Sequence, residues 1–158
     1  MNNKIMQYLN QNKSCSFSKL LFSFIDNRGF TDAEVYKKAS IDRRLFSKIR
    51  CNENYIPKKD NIIKLCLSLS LNKEEINALL NSAGYSLSMN DDVDLIISFC
   101  IENNIYDINV VNDYLYTFTN TVLNWWCFFV TFKETNLFYF LGILLSVKGN
   151  IGGVIYEN

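Results

Sequence analysis

The side chains with the most distinctive chemistry lie close together, between Asp42 and Arg50. Cationic and hydroxyl side chains recur there at short intervals, at Arg43, Arg44, Ser47, Lys48 and Arg50. Guanidinium groups bind carboxylates and phosphates through paired hydrogen bonds, and ammonium groups bind them as point charges. At about 3.6 residues per turn, these side chains share one arc of a helix, and Leu45, Phe46 and Ile49 share the opposite arc. The segment predicts a helix that packs on a core and presents cations to an anionic partner.

Composition argues against several other kinds of chemistry. The chain contains no histidine, which removes the commonest general base and metal ligand and excludes Ser-His and Cys-His catalysis. Its cysteines show no C-x-x-C spacing, so zinc and redox sites are not indicated. They are typical of reduced, mostly buried cysteines in a cytoplasmic protein, and the first residues lack the apolar run of a signal peptide. We therefore expect a cytoplasmic protein that is not an enzyme and holds no metal or other cofactor. The cysteines are Cys15, Cys51, Cys66, Cys100 and Cys127.

The net charge of zero hides an uneven distribution along the chain. Residues 1–15 carry Lys4 and Lys13 without an acidic residue, and residues 16–83 hold twelve Lys and Arg against eight Asp and Glu. Residues 84–120 then hold six acidic residues and no basic one. A basic body followed by an acidic extension is predicted, and the extension by itself would not approach a polyanion.

Two helices joined by a tight turn, a helix-turn-helix, are predicted around the basic segment. Thr31 and Glu34 have the spacing of a capping box, in which each side chain accepts a hydrogen bond from the backbone N–H of the other residue. Ser40 and Ile41 follow as the turn. Asp42 then caps the second helix of the pair by accepting a hydrogen bond from its first-turn amides.

Amphipathic stripes and caps predict five further helices. The helix at about residues 59–69 directs Ile62, Ile63, Cys66 and Leu69 inward. The helix at about residues 92–103 is too apolar for a free surface element and must pack on another part of the protein. The five helices cover approximately residues 17–28, 59–69, 73–83, 92–103 and 108–118.

Residues 16–83 resemble the five-helix DNA-binding domain of the lambda-repressor-like family. The resemblance rests on the number and caps of the helices and on the core pattern Val35, Ala39, Ile41, Phe46 and Ile49, and it covers less than half of the chain. It implies that the third helix, residues 42–50, enters the major groove of double-stranded DNA. The base-facing residues would be Arg43, Arg44, Ser47 and Lys48, with Arg able to bind guanine O6 and N7. The phosphate contacts would be Arg50, Lys58 and Lys59.

The sequence departs from the family pattern at three positions around the turn. Asp32 stands where the family often has a glutamine that contacts phosphate, and an aspartate would repel one. Tyr36 occupies a position that is usually small. Ser40 replaces the usual glycine of the turn, so a slightly wider helix pair is expected.

These observations predict a DNA-binding transcriptional regulator of bacterial or phage type, acting as a homodimer through residues 84–118. The alternative is an accessory module that binds another protein with the same fold, its cations forming a solvated helix face. Residues 84–118 also resemble, more loosely, segments that follow such domains in some bacterial multidomain proteins, including ones with macro domains. The strings AGYSLS, DLIISFCIEN and YDINVVNDYL carry that resemblance, which implies an accessory module.

The predicted organisation is all-α, with a flexible arm at 1–15, the helix-turn-helix domain at 16–83, a two-helix acidic extension at 84–118 and a hydrophobic tail at 119–158. The tail contains two apolar runs of about eleven residues, and a bilayer span needs about twenty. Lys133 and Glu134 separate the runs, so membrane association through the tail is not favoured. Strands or a helix covering the extension are one hypothesis. A frame-shifted end, rich in Phe, Leu, Trp and Cys, is another.

Overall fold

The computed structural model describes residues 4–8 and 15–123, and every regular element in these ranges is an α-helix. The predicted all-α class is thus confirmed for the described part of the chain, whereas the predicted tail lies outside it beyond residue 123. Residues 4–8 form a short helical stretch with exposed side chains. The helices that follow are α1 (Phe17–Arg28), α2 (Asp32–Lys38), α3 (Arg43–Cys51), α4 (Lys59–Ser68), α5 (Lys73–Ser82), α6 (Asp92–Glu102) and α7 (Ile108–Thr119).

Side-chain caps fix where most of these helices begin. Thr31 and Glu34 form the predicted capping box of α2, and Asn72 and Glu75 form a second one at α5. The aspartate that precedes each of α3, α6 and α7 accepts a hydrogen bond from a first-turn amide. Each cap contributes about 1 kcal/mol to helix stability, so the helix starts are encoded locally in the sequence.

Helix α4 is the centre of the structure. It packs against α2, α5 and α7, and every residue from Ile62 to Leu69 is buried. The sequence pattern predicted only one inward face, so the burial of Lys64 and Ser68 was not expected. Helix α4 has neighbours on several sides, since α7 from the predicted extension packs against it in addition to α2 and α5.

A partly buried ion pair joins α4 to α6. The Lys59 ammonium lies 2.5 Å from the Asp94 carboxylate, which also accepts a hydrogen bond from the Ser88 backbone N–H at 2.7 Å. Asp94 is 2% exposed. The two partners leave little of this buried carboxylate's charge uncompensated, so the pair links the predicted extension directly to the five-helix body.

The apolar residues of α6 and α7 are not all buried as their sequences predict. Ile97, Cys100 and Ile101 lie in the core, which confirms that α6 packs on the body. Phe99 and Phe118, however, stay 53% and 61% exposed, because they lie on the sides of α6 and α7 that face away from α4. The exposure leaves an apolar outer surface on the extension.

The prediction of mostly buried cysteines is correct for only two of the four in the described residues. Cys66 and Cys100 are buried, and burial raises the pKa of the Cys100 thiol to about 11. Cys15 and Cys51 are exposed, because they lie at the start of α1 and at the end of α3, where the helices leave the core.

A second ion pair joins α1 to α5. Arg28 at the end of α1 lies 2.7 Å from Glu75 in the first turn of α5, and both side chains are about one-quarter exposed. Burial would raise the pKa of Glu75, but hydrogen bonds from the Arg28 guanidinium and from the Asn72 backbone N–H outweigh it and lower that pKa. The charged form of Glu75 is therefore favoured by folding.

Replacing Asp94 should destabilise the protein far more than replacing its exposed neighbour. Asp94→Ala leaves the Lys59 ammonium without its partner in a partly buried site, and we expect a loss of about 3 kcal/mol in the free energy of unfolding. Asp92→Ala, in the same helical turn, is the matched control and should cost about 0.5 kcal/mol or less. Urea denaturation followed by circular dichroism measures both, and equal losses would contradict the structural role of the ion pair.

Glu75→Gln tests the Arg28 contact through pH. The variant keeps a capping side chain but loses the charge, so we expect a loss of about 1.5 kcal/mol in unfolding free energy at pH 7. Because the folded-state pKa of Glu75 is lowered, its contribution is present above the ordinary value of 4.5 and disappears as the pH falls through the lowered value. Unfolding free energies measured from pH 7 to pH 3 should therefore converge for the two proteins. Glu74→Gln is the control, and a difference that stays constant with pH would contradict the assignment.

Candidate nucleic-acid interface

An aromatic cluster seats α3 on the body. The ring of Phe46 lies 5.9 Å, centroid to centroid, from each of the rings of Phe22 and Tyr36. Ile49 is fully buried one turn later, and Leu45 is half-buried. The inward arc of α3 therefore contacts both α1 and α2, and the large Tyr36 side chain is accommodated within the cluster.

The turn between α2 and α3 is tight although it lacks a glycine. Ser40 takes a left-handed backbone conformation with φ of 50°, which costs a residue other than glycine roughly 1 kcal/mol. The Ile41 backbone N–H donates to the Tyr36 carbonyl at 2.9 Å, and Ala39 and Ile41 are buried on either side. Burial of these neighbours and the backbone hydrogen bond hold the serine in this conformation.

The predicted base-facing residues of α3 all lie on its exposed side. Arg43, Arg44, Ser47 and Lys48 are each exposed. The Asp42 side chain caps the helix by accepting a hydrogen bond from the Arg44 backbone N–H at 2.6 Å. In the described part of the chain, neither Arg43 nor Arg44 has an ion-pair partner. Cations at the N-terminal end of a helix are disfavoured by the helix dipole, so this pair of guanidinium groups gains nothing from its own helix.

Lys48 lies over an aromatic ring from the following loop. Its ammonium is 4.2 Å from the centroid of the Tyr55 ring, a cation–π contact that stabilises by about 0.5–1 kcal/mol at an exposed site. The contact places this cation towards the loop between α3 and α4. Glu53 in the same loop pairs with Lys19 at 2.6 Å and ties the loop to α1.

Arg50 binds within the protein. Its guanidinium forms an ion pair with Asp32 and lies 3.9 Å from the centroid of the Phe22 ring. Arg50 was predicted to bind phosphate and Asp32 to repel it, and in the structure these two residues bind each other. Each side chain satisfies the other, and the ion pair joins the start of α2 to the end of α3.

The other two predicted phosphate contacts differ in their environments. Lys58 is exposed at the start of α4, whereas the Lys59 ammonium is held by Asp94. Two of the three predicted phosphate contacts, Arg50 and Lys59, thus pair with acidic side chains and join helices, whereas Lys58 has no ion pair among the described residues. Sequence spacing could not identify these pairs, since Asp32 and Asp94 are far from their partners along the chain.

The extension comes close to the turn of the helix pair. An open cleft of about 420 Å³ is lined by Lys38 and Ser40 on one side and by the start of α7 on the other. Asp107 in this cleft caps α7 by accepting a hydrogen bond from the Asn109 backbone N–H at 2.8 Å. The acidic extension therefore lies beside the end of α2. The exposed cations of α3 follow α2 directly in the chain.

Residues 4–8 and 15–123 contain neither a metal-binding cluster nor a membrane-spanning helix. No group of three or more Cys, Asp or Glu side chains in these ranges is placed to hold a metal ion. None of the helices described there combines the length and the apolar character needed to cross a membrane.

Comparison with known proteins identifies no relative. No protein-family model, no curated protein and no solved structure matches this chain.

Proposed function

We propose that the protein is a DNA-binding transcriptional regulator of bacterial or phage type, with α3 as the helix that enters the major groove. The observation that carries the proposal is the pair of exposed guanidinium groups at Arg43 and Arg44, which have no ion-pair partner among the described residues. Two other cations of α3, Lys48 and Arg50, contact Tyr55 and Asp32 within the protein, so Arg43 and Arg44 are the cations of this helix available for an anionic ligand. Guanidinium groups at the start of such a helix match the O6 and N7 acceptors of guanine.

The arrangement of the helix pair supports the same proposal. The buried arc of α3 fixes its orientation on α1 and α2, and its N-terminal turn projects outward with Arg43, Arg44 and Ser47. In a helix-turn-helix protein the first residues of the second helix contact base edges. Lys58 lies at the start of α4, where a phosphate contact would position the protein on the duplex.

The proposed regulator acts as a homodimer. A single domain of this kind contacts few bases, and two-fold symmetric half-sites are the usual route to adequate specificity. Residues 84–118 contribute a surface to the contact between copies in this proposal.

The second candidate function is a protein-interaction module with the same fold. The observation that favours it is the acidic and partly apolar surface of α6 and α7, where Phe99 and Phe118 are exposed. Under this alternative the cations of α3 are a solvated helix face. Membrane association through the tail concerns residues outside the described ranges.

Removing the two guanidinium groups should weaken DNA binding specifically. Titration of the full-length protein into a labelled mixed-sequence duplex should show log K falling with log salt by about 0.9 for each phosphate contact. Arg43→Ala with Arg44→Ala should weaken binding roughly tenfold or more. Lys19→Ala with Lys73→Ala lowers the net charge equally, removes cations outside the proposed interface, and should weaken binding less. Absence of DNA binding at low salt by the folded protein would favour the interaction module. Equal losses of affinity in the two double variants would show that only net charge matters.

Neutralising Asp32 should change DNA binding in the opposite direction. Asp32→Asn releases the Arg50 guanidinium and removes a carboxylate beside the proposed interface, so affinity should rise several-fold and the salt slope should steepen by up to about 0.9. Because the ion pair is partly exposed, the free energy of unfolding should fall by less than about 1 kcal/mol. Arg50→Ala in the Asp32→Asn background should cancel the gain in affinity. Glu74→Gln is the charge-matched control, and an equal gain from it would contradict the local role of Asp32.

A further inference from the structure

The outer side of the extension carries an apolar surface that nothing in the described chain covers. We call it the α6–α7 face and define it by Leu95, Phe99, Val110, Tyr114 and Phe118. Four of these are exposed and Tyr114 is half-buried. Contiguous apolar surfaces of this kind on a soluble domain mark sites of interaction.

The spacing of these residues makes them one surface. Leu95 and Phe99 are four residues apart on α6, and the three residues on α7 are also four apart, so each set lies along one side of its helix. The rings of Phe99 and Tyr114 meet edge to face with centroids 6.3 Å apart. This contact joins the two sets across the helix pair.

The charge around the α6–α7 face selects its partner. Asp92 and Asp113 are exposed on the same two helices, and residues 84–120 contain no Lys or Arg. Two copies of this face pressed together would bring like charges into contact, which is unfavourable. A complementary partner is apolar and basic.

The chain itself contains a segment with this chemistry. Residues 4–8 form a short helical stretch in which Ile5 and Met6 are more than half exposed, at 57% and 56%. Lys4 precedes them, and residues 1–15 contain two lysines and no acidic residue. Within one copy, both the helical stretch and the α6–α7 face remain exposed, so the two do not cover each other. Seven residue steps separate Tyr8 from Cys15, a separation that spans at most about 24 Å.

We propose that the α6–α7 face binds the N-terminal helical stretch, residues 4–8, of a second copy of this chain, so that a dimer forms by reciprocal exchange of these stretches. Ile5 and Met6 pack on Phe99 and Phe118, and Lys4 lies beside the acidic residues of the partner. The proposal concerns the assembly of the protein alone and does not depend on DNA binding.

The dimer is tested with the full-length protein in the absence of DNA, by analytical ultracentrifugation over a range of concentrations. We expect a monomer–dimer equilibrium whose dissociation constant rises at least tenfold with Ile5→Asp and Met6→Asp together. Phe99→Ser and Phe118→Ser together should have a similar effect. Ile56→Ser removes an exposed apolar side chain outside both surfaces and should leave the equilibrium unchanged. Circular dichroism establishes that each variant is folded. A wild-type protein that stays monomeric at about 100 µM overturns the proposal.

A mixing experiment separates this dimer from a face-to-face one. The variant that carries Ile5→Asp and Met6→Asp keeps an intact α6–α7 face. The variant that carries Phe99→Ser and Phe118→Ser keeps an intact helical stretch. Mixing the two restores one of the two contacts, so native mass spectrometry should detect a heterodimer at concentrations where neither variant pairs with itself. Failure of the heterodimer to form, or a dimer that ignores the changes at positions 5 and 6, overturns the exchange.

Discussion

The burial of α4 on all sides is the constraint on which the rest of the structure depends. A helix with a continuous buried stretch from Ile62 to Leu69 requires neighbours around its circumference, and α2, α5 and α7 supply them. Removing the extension would return part of this surface to water, at roughly 25 cal/mol for each Å² of apolar area. The helix-turn-helix pair and the acidic extension are therefore built on one core.

Ion pairs decide which cations remain available on the surface. Asp94 holds Lys59 and joins the extension to the body, and Asp32 holds Arg50 and joins α2 to α3. Arg43 and Arg44 lie in the same part of the protein without an ion-pair partner among the described residues. The positive charge of residues 16–83 is thus divided between cations that stabilise the helix arrangement and cations that are available to a ligand.

The exposed surface of the extension is acidic and apolar, in contrast to the basic surface of residues 16–83. Phe99 and Phe118 are exposed and form an apolar surface on a segment whose charged residues are all acidic. For a partner of such a surface, hydrophobic burial supplies affinity. Charge complementarity excludes partners with the wrong charge. The basic α3 and the acidic α6 and α7 give the protein two surfaces of opposite charge.

By itself, the sequence determined the helices, their caps and the outward arc of α3, because capping boxes such as Thr31 with Glu34 and the stripe of Phe46 and Ile49 act over a few residues. Only the tertiary structure decided that α4 is buried on all sides, that Phe99 is exposed, and that Arg50 and Lys59 bind Asp32 and Asp94. Those outcomes depend on contacts between residues far apart in the chain. A helical stripe shows which side chains share a face, but the helices that pack around that face determine how much of it meets water.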